Sequence, residues 1–328
     1  MAGESTLSLT YKDLLTSTLF GYLDSGKFTD NISDITPTWG WLMDNARMTR
    51  GGERISVAIQ SSLNTTAGSY SNYDSLDVTP QDNMTRAFFD NKQYSVTISI
   101  NGNEMTANMG EAEIFDLLMS KTAIAEASLG QGQSEDVFLD GTGNSSKDVT
   151  GLAALNDQTP AVGTYGSINR ANLAAWRNGA ATSIGAAATG LLSNLRTEYN
   201  TASKKSAAGK PDWITTTQTV HETFEALMFP FLQYQGSATS DNSVNAGLSN
   251  LRYKNASVAW DPDVPSGELH ILNSNHTWLV VHPDRNYSMA EGGFQKPVDQ
   301  DALSTQVLWK GNLVTDLLAA NAVLAGLT

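Results

Sequence analysis

Residues 138–155 read FLDGTGNSSKDVTGLAAL. A run of Gly, Asn, Ser and Thr bracketed by Phe138–Leu139 and Leu152–Leu155 admits three readings: a metal loop, a phosphate loop, or a turn between packed elements. Asp140, Thr142, Asn144, Ser146 and Asp148 set oxygens on alternate positions, as a calcium loop does. Such a loop also needs Gly at its sixth position and a bidentate Glu at its twelfth, where Ser145 and Gly151 stand. A phosphate loop needs G-x-x-x-x-G-K-[ST], which GTGNSSKD does not supply; Gly141-x-Gly143 alone is a weak signal. The segment reads as a surface crossover whose glycines allow positive φ.

Upstream, residues 110–129 (GEAEIFDLLMSKTAIAEASL) predict an amphipathic helix. Ile114, Leu117, Leu118 and Ala125 fall near one face, Glu111 and Glu113 sit in the first turn where the dipole favours them, and Gly130 closes the element. Further upstream, Ile55, Val57 and Ile59 alternate with polar residues, and so do Tyr94, Val96, Ile98 and Ile100. Between these runs lies LNTTAGSYSNYDSLDVTPQDN, rich in turn formers. Residues 53–100 therefore read as a long two-stranded ribbon with an extended polar tip. A hairpin alone in water is marginal, so the ribbon must lie on something else. Residues 1–50 mix short apolar clusters with turn residues and read as an irregular arm.

Downstream, residues 181–200 read as a helix weakened by Gly185 and Gly190. Trp213–Ile214–Thr215 suits a short strand, followed by a helix capped at Thr217 or Thr219 and carrying Val220, Phe224 and Leu227. Strands are expected at 257–260, 268–273 and 277–282, and VLWKGNLVTDLLAANAVLAGL joins a strand-like opening to an Ala/Leu-rich end. Helix and strand alternate irregularly, which makes the fold class α+β.

The chain has 328 residues, enough for one large domain or two ordinary ones. Charged residues are 16% of it, against about 25% in typical soluble proteins. A polar but sparsely charged surface suits large contacts between subunits, because desolvating Ser or Asn costs less than desolvating Lys or Glu. The net charge of −14 argues against a nucleic-acid reader. Lys204, Lys205 and Lys210 form the densest basic stretch and read as an exposed loop. Without cysteine there is no disulfide framework or thiolate site. MAGESTLSLTYKDLL has no signal-peptide pattern, and Leu317–Leu327 is too short to span a bilayer, so the protein is expected inside a cell or packaged there.

His270, His276 and His282 are evenly spaced, but along a straight strand each step is about 20 Å, too far for one metal. His221–Glu222 lacks the second ligand of H-E-x-x-H, and no G-x-S-x-G elbow or Rossmann fingerprint occurs. Trp39, Trp41 and Trp213 could line a pocket or pack a core. No catalytic, cofactor-binding or metal-binding residue is assigned, and an enzyme is not expected.

The order of arm, polar-tipped ribbon, uninterrupted helix and F-L-x-G-x-G…G-L loop resembles the major capsid proteins of tailed bacteriophages, the Hong Kong ninety-seven type shell fold. The glycines carrying the loop are Gly141, Gly143 and Gly151. Residues 212–228 are similar to the family's strand-then-helix step, and 251–273 to its hairpin, with Asn255–Ala256 in place of the usual turn. The resemblance implies an N-terminal arm (1–50), an extended loop (51–104), a peripheral domain with the spine helix (105–170 and 276–328) and an axial domain (171–275).

It also implies self-assembly into hexamers and pentamers of an icosahedral virion shell around double-stranded DNA, put together in the host cytoplasm without a membrane. The partners it implies are a separate scaffolding protein (or a processed N-terminus), a portal and a cement protein. The acidic balance fits an inner wall that does not hold DNA, with plain solubility as the simpler explanation. The ribbon tip (61–80) has no lysine and Lys92 lies well down the second strand, so covalent crosslinking is not carried over. The alternatives are an encapsulin-like nanocompartment shell and a carbohydrate-binding or hydrolase domain.

Overall fold

A computed structural model describes residues 36–107, 111–206, 209–232, 251–290, 293–298 and 300–328. The side chains of 105–119 and 229–232 lie outside the described residues, and so do the expected contacts of Glu111, Glu113, Ile114, Leu117 and Leu118. The principal elements in chain order are α1 (Pro37–Asp44), β1 (Arg47–Met48), β2 (Arg54–Gln60), β3 (Met84–Asp90), β4 (Lys92–Asn101), α2 (Glu111–Val137), β5 (Gly179–Ala181), α3 (Ala187–Lys205), β6 (Trp213–Thr216) and α4 (Gln218–Leu232). They continue with β7 (Arg252–Tyr253), β8 (Ala256–Trp260), β9 (Leu269–Leu272), β10 (Thr277–Val281), β11 (Ser288–Met289), β12 (Ala302–Thr315) and β13 (Ala322–Leu324). The class is α+β, as expected.

The chain divides into two compact units. The larger holds 34–93, 130–286 and 310–328. Its main sheet has six strands in the order β5-β13-β9-β6-β8-β7. Helices α3 and α4 cover this sheet. Leu191, Leu195 and Tyr199 of α3 and Val220 and Phe224 of α4 close a core with Ile214, Val258, Leu269, Ile271, Ala322 and Leu324. The spacing of Leu191, Leu195 and Tyr199 puts one residue per turn on the buried face, so the helix forms where packing rewards it. β9 is buried along its whole length, His270 included.

In the same unit β10 pairs antiparallel with the 311–315 end of β12, and β1 adds in parallel on its other side. β9 and β10 are joined by a turn at 273–276, yet they belong to different sheets.

The smaller unit is built, among the described residues, from 94–107, the first part of α2, and 287–309. β11 pairs with β12 at Ser288↔Leu308 and Met289↔Val307. Ile98, Ile100, Val307 and Trp309 are buried, and Tyr94 meets Trp309 edge-on with ring centroids 5.8 Å apart. Glu104 Oε2 accepts from Lys121 Nζ at 2.6 Å and from the Asn101 amide at 3.0 Å, and Lys121 also donates to the Ser99 carbonyl.

Four local expectations change. The partner of Ile55–Ile59 is Met84–Asp90, not Tyr94–Ile100, so the ribbon spans 54–90; β4 pairs with β12 instead. The helix from Glu111 runs past Gly130 to Val137, because an interior glycine costs about 1 kcal/mol but leaves the hydrogen-bond ladder intact. Residues 181–185, expected in a helix, lie with 179–180 along the chain's last strand through β5↔β13 and Gly185 N–H to the Gly326 carbonyl; α3 starts at Ala187. Residues 36–48, expected in an irregular arm, are packed: Leu42 and Trp39 are buried, and Thr38 hydrogen-bonds Thr215 at 2.8 Å. Residues 1–35 lie outside the described residues.

Candidate functional site

The ribbon is the candidate contact site, and its two ends differ in character. β2 and β3 pair in register from Arg54↔Asp90 to Gln60↔Met84. Period two sorts the side chains: Ile55, Val57, Ile59, Ala87 and Phe89 take the shielded face, while Ser56, Ala58, Arg86 and Phe88 face outward.

The foot is anchored to its own subunit. Phe89 packs edge-on against Tyr165 at 5.3 Å, and Tyr165 in turn meets Trp176, whose Nε1 donates to the Tyr165 carbonyl at 3.0 Å. The Phe88 amide donates to the Gly166 carbonyl at 2.9 Å. Gly166 has φ of +59°, and a Cβ there would come within 2.9 Å of Ala87, so glycine is required for this approach. Burial pushes the Tyr165 phenol well above its ordinary range, so the ring stays neutral.

Beneath it, buried Arg170 donates to the Ala154 and Leu155 carbonyls and faces Asp157 at 3.4 Å; burial lowers its pKa and Asp157 opposes that. A cavity of about 460 Å³ opens beside Arg170, Asp157, Asp140 and Glu268.

The tip, 61–83, has no ladder. It is pinned by side-chain turns: Asn64 Oδ1 accepts from the Thr66 amide and hydroxyl, and Asp77 Oδ1 does the same for Thr79. Short polar side chains offer the backbone this alternative to a strand. The Thr79 hydroxyl and amide hold the Asp77 carboxyl below its usual range. Large apolar groups are strung along this polar tip fully in the open: Leu63 is 80% exposed, Tyr70 70%, Tyr73 101%, Leu76 60% and Val78 89%.

The 138–155 segment supports the foot. Val137, Phe138, Val149, Leu152 and Leu155 are buried, and 142–147 form an exposed turn, with Asn144, Ser145 and Ser146 at positive φ. Two of the side chains that suggested calcium, Asp140 and Thr142, hydrogen-bond each other. Asp140 Oδ1 accepts from the Thr142 amide and hydroxyl, contacts that lower its pKa, and the Lys92 ammonium donates to the Ser146 carbonyl. No group of three or more His, Asp or Glu able to hold a metal ion occurs among the described residues. No helix among them is long and apolar enough to cross a membrane.

The other candidates from the sequence are scattered. Trp41 stacks on Trp213 with centroids 5.5 Å apart, and Trp39 is buried, so the three tryptophans pack. Lys204 and Lys205 end α3 and Lys210 lies beyond it. His270 is buried beside Glu268, and His282 sits at the surface beside Asp284. One constellation was not anticipated: Ser206, His276 and Asp316 lie in a hydrogen-bonded line. Its members are 70 and 40 residues apart, so no local motif could announce it.

No protein-family model matches the sequence, and no curated protein matches it. Solved structures do. The chain is similar to the capsid asymmetric unit of cyanophage A-1(L), with a TM-score of 0.70, 15% identity and coverage of 95% of this chain and 99% of that one. It is also similar to the capsid of Myoviridae phage XM1, at TM-score 0.55 and 12% identity over 92% and 96% of the two chains. A third likeness is the holo-SrpI encapsulin complex from Synechococcus elongatus PCC 7942, at TM-score 0.51, 14% identity and coverage of 96% and 95%. The fold is therefore that of a viral or compartment shell protein. It is the Hong Kong ninety-seven type shell fold of tailed-phage capsids, present over nearly the whole chain.

Proposed function

We propose that this chain is the major capsid protein of a tailed phage and builds an icosahedral shell of hexamers and pentamers around double-stranded DNA. The observation that carries the reading is the shared fold with the cyanophage A-1(L) capsid subunit over 95% of this chain. The ribbon supports it: the foot is fastened within the subunit, while five large apolar side chains of the tip are exposed and need another surface to cover them. A second copy supplies that surface when contacts run head to tail and close into rings.

The division into arm (1–50), extended loop (51–104), peripheral domain (105–170 and 276–328) and axial domain (171–275) is proposed with it, the ribbon proper being 54–90. The shell role is structural, cohesion is non-covalent, and a scaffolding protein, a portal and a cement protein are the proposed partners. Assembly is placed in the host cytoplasm and the final location in the virion. The encapsulin reading is second, supported by the SrpI likeness at TM-score 0.51.

Electron microscopy of the purified chain, alone and co-expressed with its neighbouring genes, tests this. Closed shells, six-fold rings or tubes are expected, and enclosed protein cargo would favour the compartment reading. A monomer even with those partners would overturn the shell function.

A further inference from the structure

The hydrogen-bonded line beyond the end of α3 has defined roles. His276 Nδ1 lies 2.7 Å from Asp316 Oδ1, and Nε2 lies 2.7 Å from Ser206 Oγ. A carboxylate only accepts, so Nδ1 carries the ring hydrogen and the Nε2 of the neutral ring accepts from the Ser206 hydroxyl. The ring is held in place: the side chain of His276 is 11% exposed, and its carbonyl accepts from Thr315 Oγ1 at 2.7 Å and from the Asp316 amide at 3.2 Å.

A fourth group completes the arrangement. The Asn273 amide N–H donates to Asn321 Oδ1 at 3.0 Å, and the Asn273 side-chain oxygen accepts from the Asn275 amide at 3.1 Å. That orients Nδ2, which donates to the Gly209 carbonyl at 3.0 Å and lies 3.4 Å from Ser206 Oγ. Both Nδ2 hydrogens are thereby used, so Asn273 helps fix the Ser206 hydroxyl in place.

We propose that Ser206, His276, Asp316 and Asn273 form an acyl-transfer site that cleaves small carboxylic esters, an activity separate from shell formation. Ser206 Oγ bonds to the ester carbonyl carbon while its proton passes to His276 Nε2. The carbonyl electron pair moves onto oxygen, and Asn273 acts as a positioning residue for Oγ. The carbon–alkoxy bond then breaks and the alcohol leaves with the proton from His276. Water adds to the acyl carbon, gives its proton to His276, and the carboxylic acid departs as Ser206 regains the proton. Asp316 is a positioning residue. Ser206 is partly shielded and the imidazole covers one side of it, so a short acyl group is the substrate that reaches Oγ.

The same contacts could serve as a clasp fastening the end of α3 to the 273–276 turn. A clasp needs the hydrogen bonds but not a reactive oxygen, and the test separates the two. The full-length chain is treated with a fluorophosphonate reagent and, separately, with p-nitrophenyl acetate, and adducts are located by peptide mass spectrometry. One adduct on Ser206 is expected, with hydrolysis above the buffer rate. Ser206→Ala abolishes the adduct, His276→Ala lowers the hydrolysis rate by about 100-fold or more, and Asp316→Asn slows it with the adduct still on Ser206. A folded wild-type chain with no adduct on Ser206, or hydrolysis unchanged in a folded Ser206→Ala variant, overturns the proposal.

Discussion

The side chain of Asn312 holds the foot of the ribbon: its Nδ2 donates to the Asp90 carbonyl oxygen at 2.7 Å, and its Oδ1 accepts from the Thr150 amide at 3.0 Å. Asn312 is fully buried. One carboxamide thus joins the end of β3, the 138–155 segment and β12.

Removing that carboxamide leaves a donor and an acceptor without partners in a shielded place. Asn312→Ala is expected to lower the unfolding free energy of the subunit by about 2 kcal/mol, read from denaturant titration. It should also raise proteolysis at the ribbon relative to other sites. A loss within experimental error would show that water replaces both bonds.

Gly151 and Gly130 make opposite predictions for the same substitution. A Cβ on Gly151 would come within 2.4 Å of the Val137 and Leu139 carbonyl oxygens, which are backbone and cannot swing aside. Gly151→Ala should therefore cost about 1–3 kcal/mol or more, in the range of overpacked cores. At Gly130, inside α2, a Cβ meets nothing within 4 Å, and Gly130→Ala should stabilise by about 0.5–1 kcal/mol. Thermal denaturation of the two variants beside wild type checks both signs.

Asp261 carries a pH dependence. It is fully buried, and burial raises its pKa against hydrogen bonds from the Asp263 and Thr38 amides. The folded chain then holds the proton more tightly than the unfolded chain. Stability from protonation is fully present below the ordinary aspartate value of about 3.9 and is lost as pH rises through the raised folded value. Asp261→Asn should flatten stability against pH in that window. An unchanged slope would assign it to other carboxyls. Asp140, held below its usual range, contributes the opposite trend at lower pH.

The tip separates folding from assembly. Tyr70→Ser with Tyr73→Ser removes two side chains that are 70% and 101% exposed, so the subunit should unfold at the wild-type temperature. If the tip docks on a neighbouring copy, shells or rings should be lost or reduced in electron micrographs. Normal shells from the double variant would move the contact elsewhere.

The positions where the sequence reading failed share a cause. The strand MTRAFFD pairs with β2, but its Phe88 faces outward and Arg86 and Asp90 break the apolar pattern, so the cleaner alternation of Tyr94–Ile100 drew the assignment. Gly130 looked like a stop, yet α2 continues because Gln133, Ser134 and Val137 are buried beyond it. The Ala-rich 179–185 segment became a sheet edge because Ala322–Leu324 supplied a partner.

What the sequence determined alone is the part encoded at short range: α+β character, strands of period two, the long helix, the polar tip, and a glycine-bearing crossover. Side-chain alternation, helical spacing and turn chemistry act over a few residues and can be read in order. Tertiary structure alone decided which strands pair, that Asn312 joins Asp90 to Thr150, and that Ser206, His276 and Asp316 meet. Those contacts join residues 40 to 222 positions apart, and their energy exists only after the core has closed and excluded water around them.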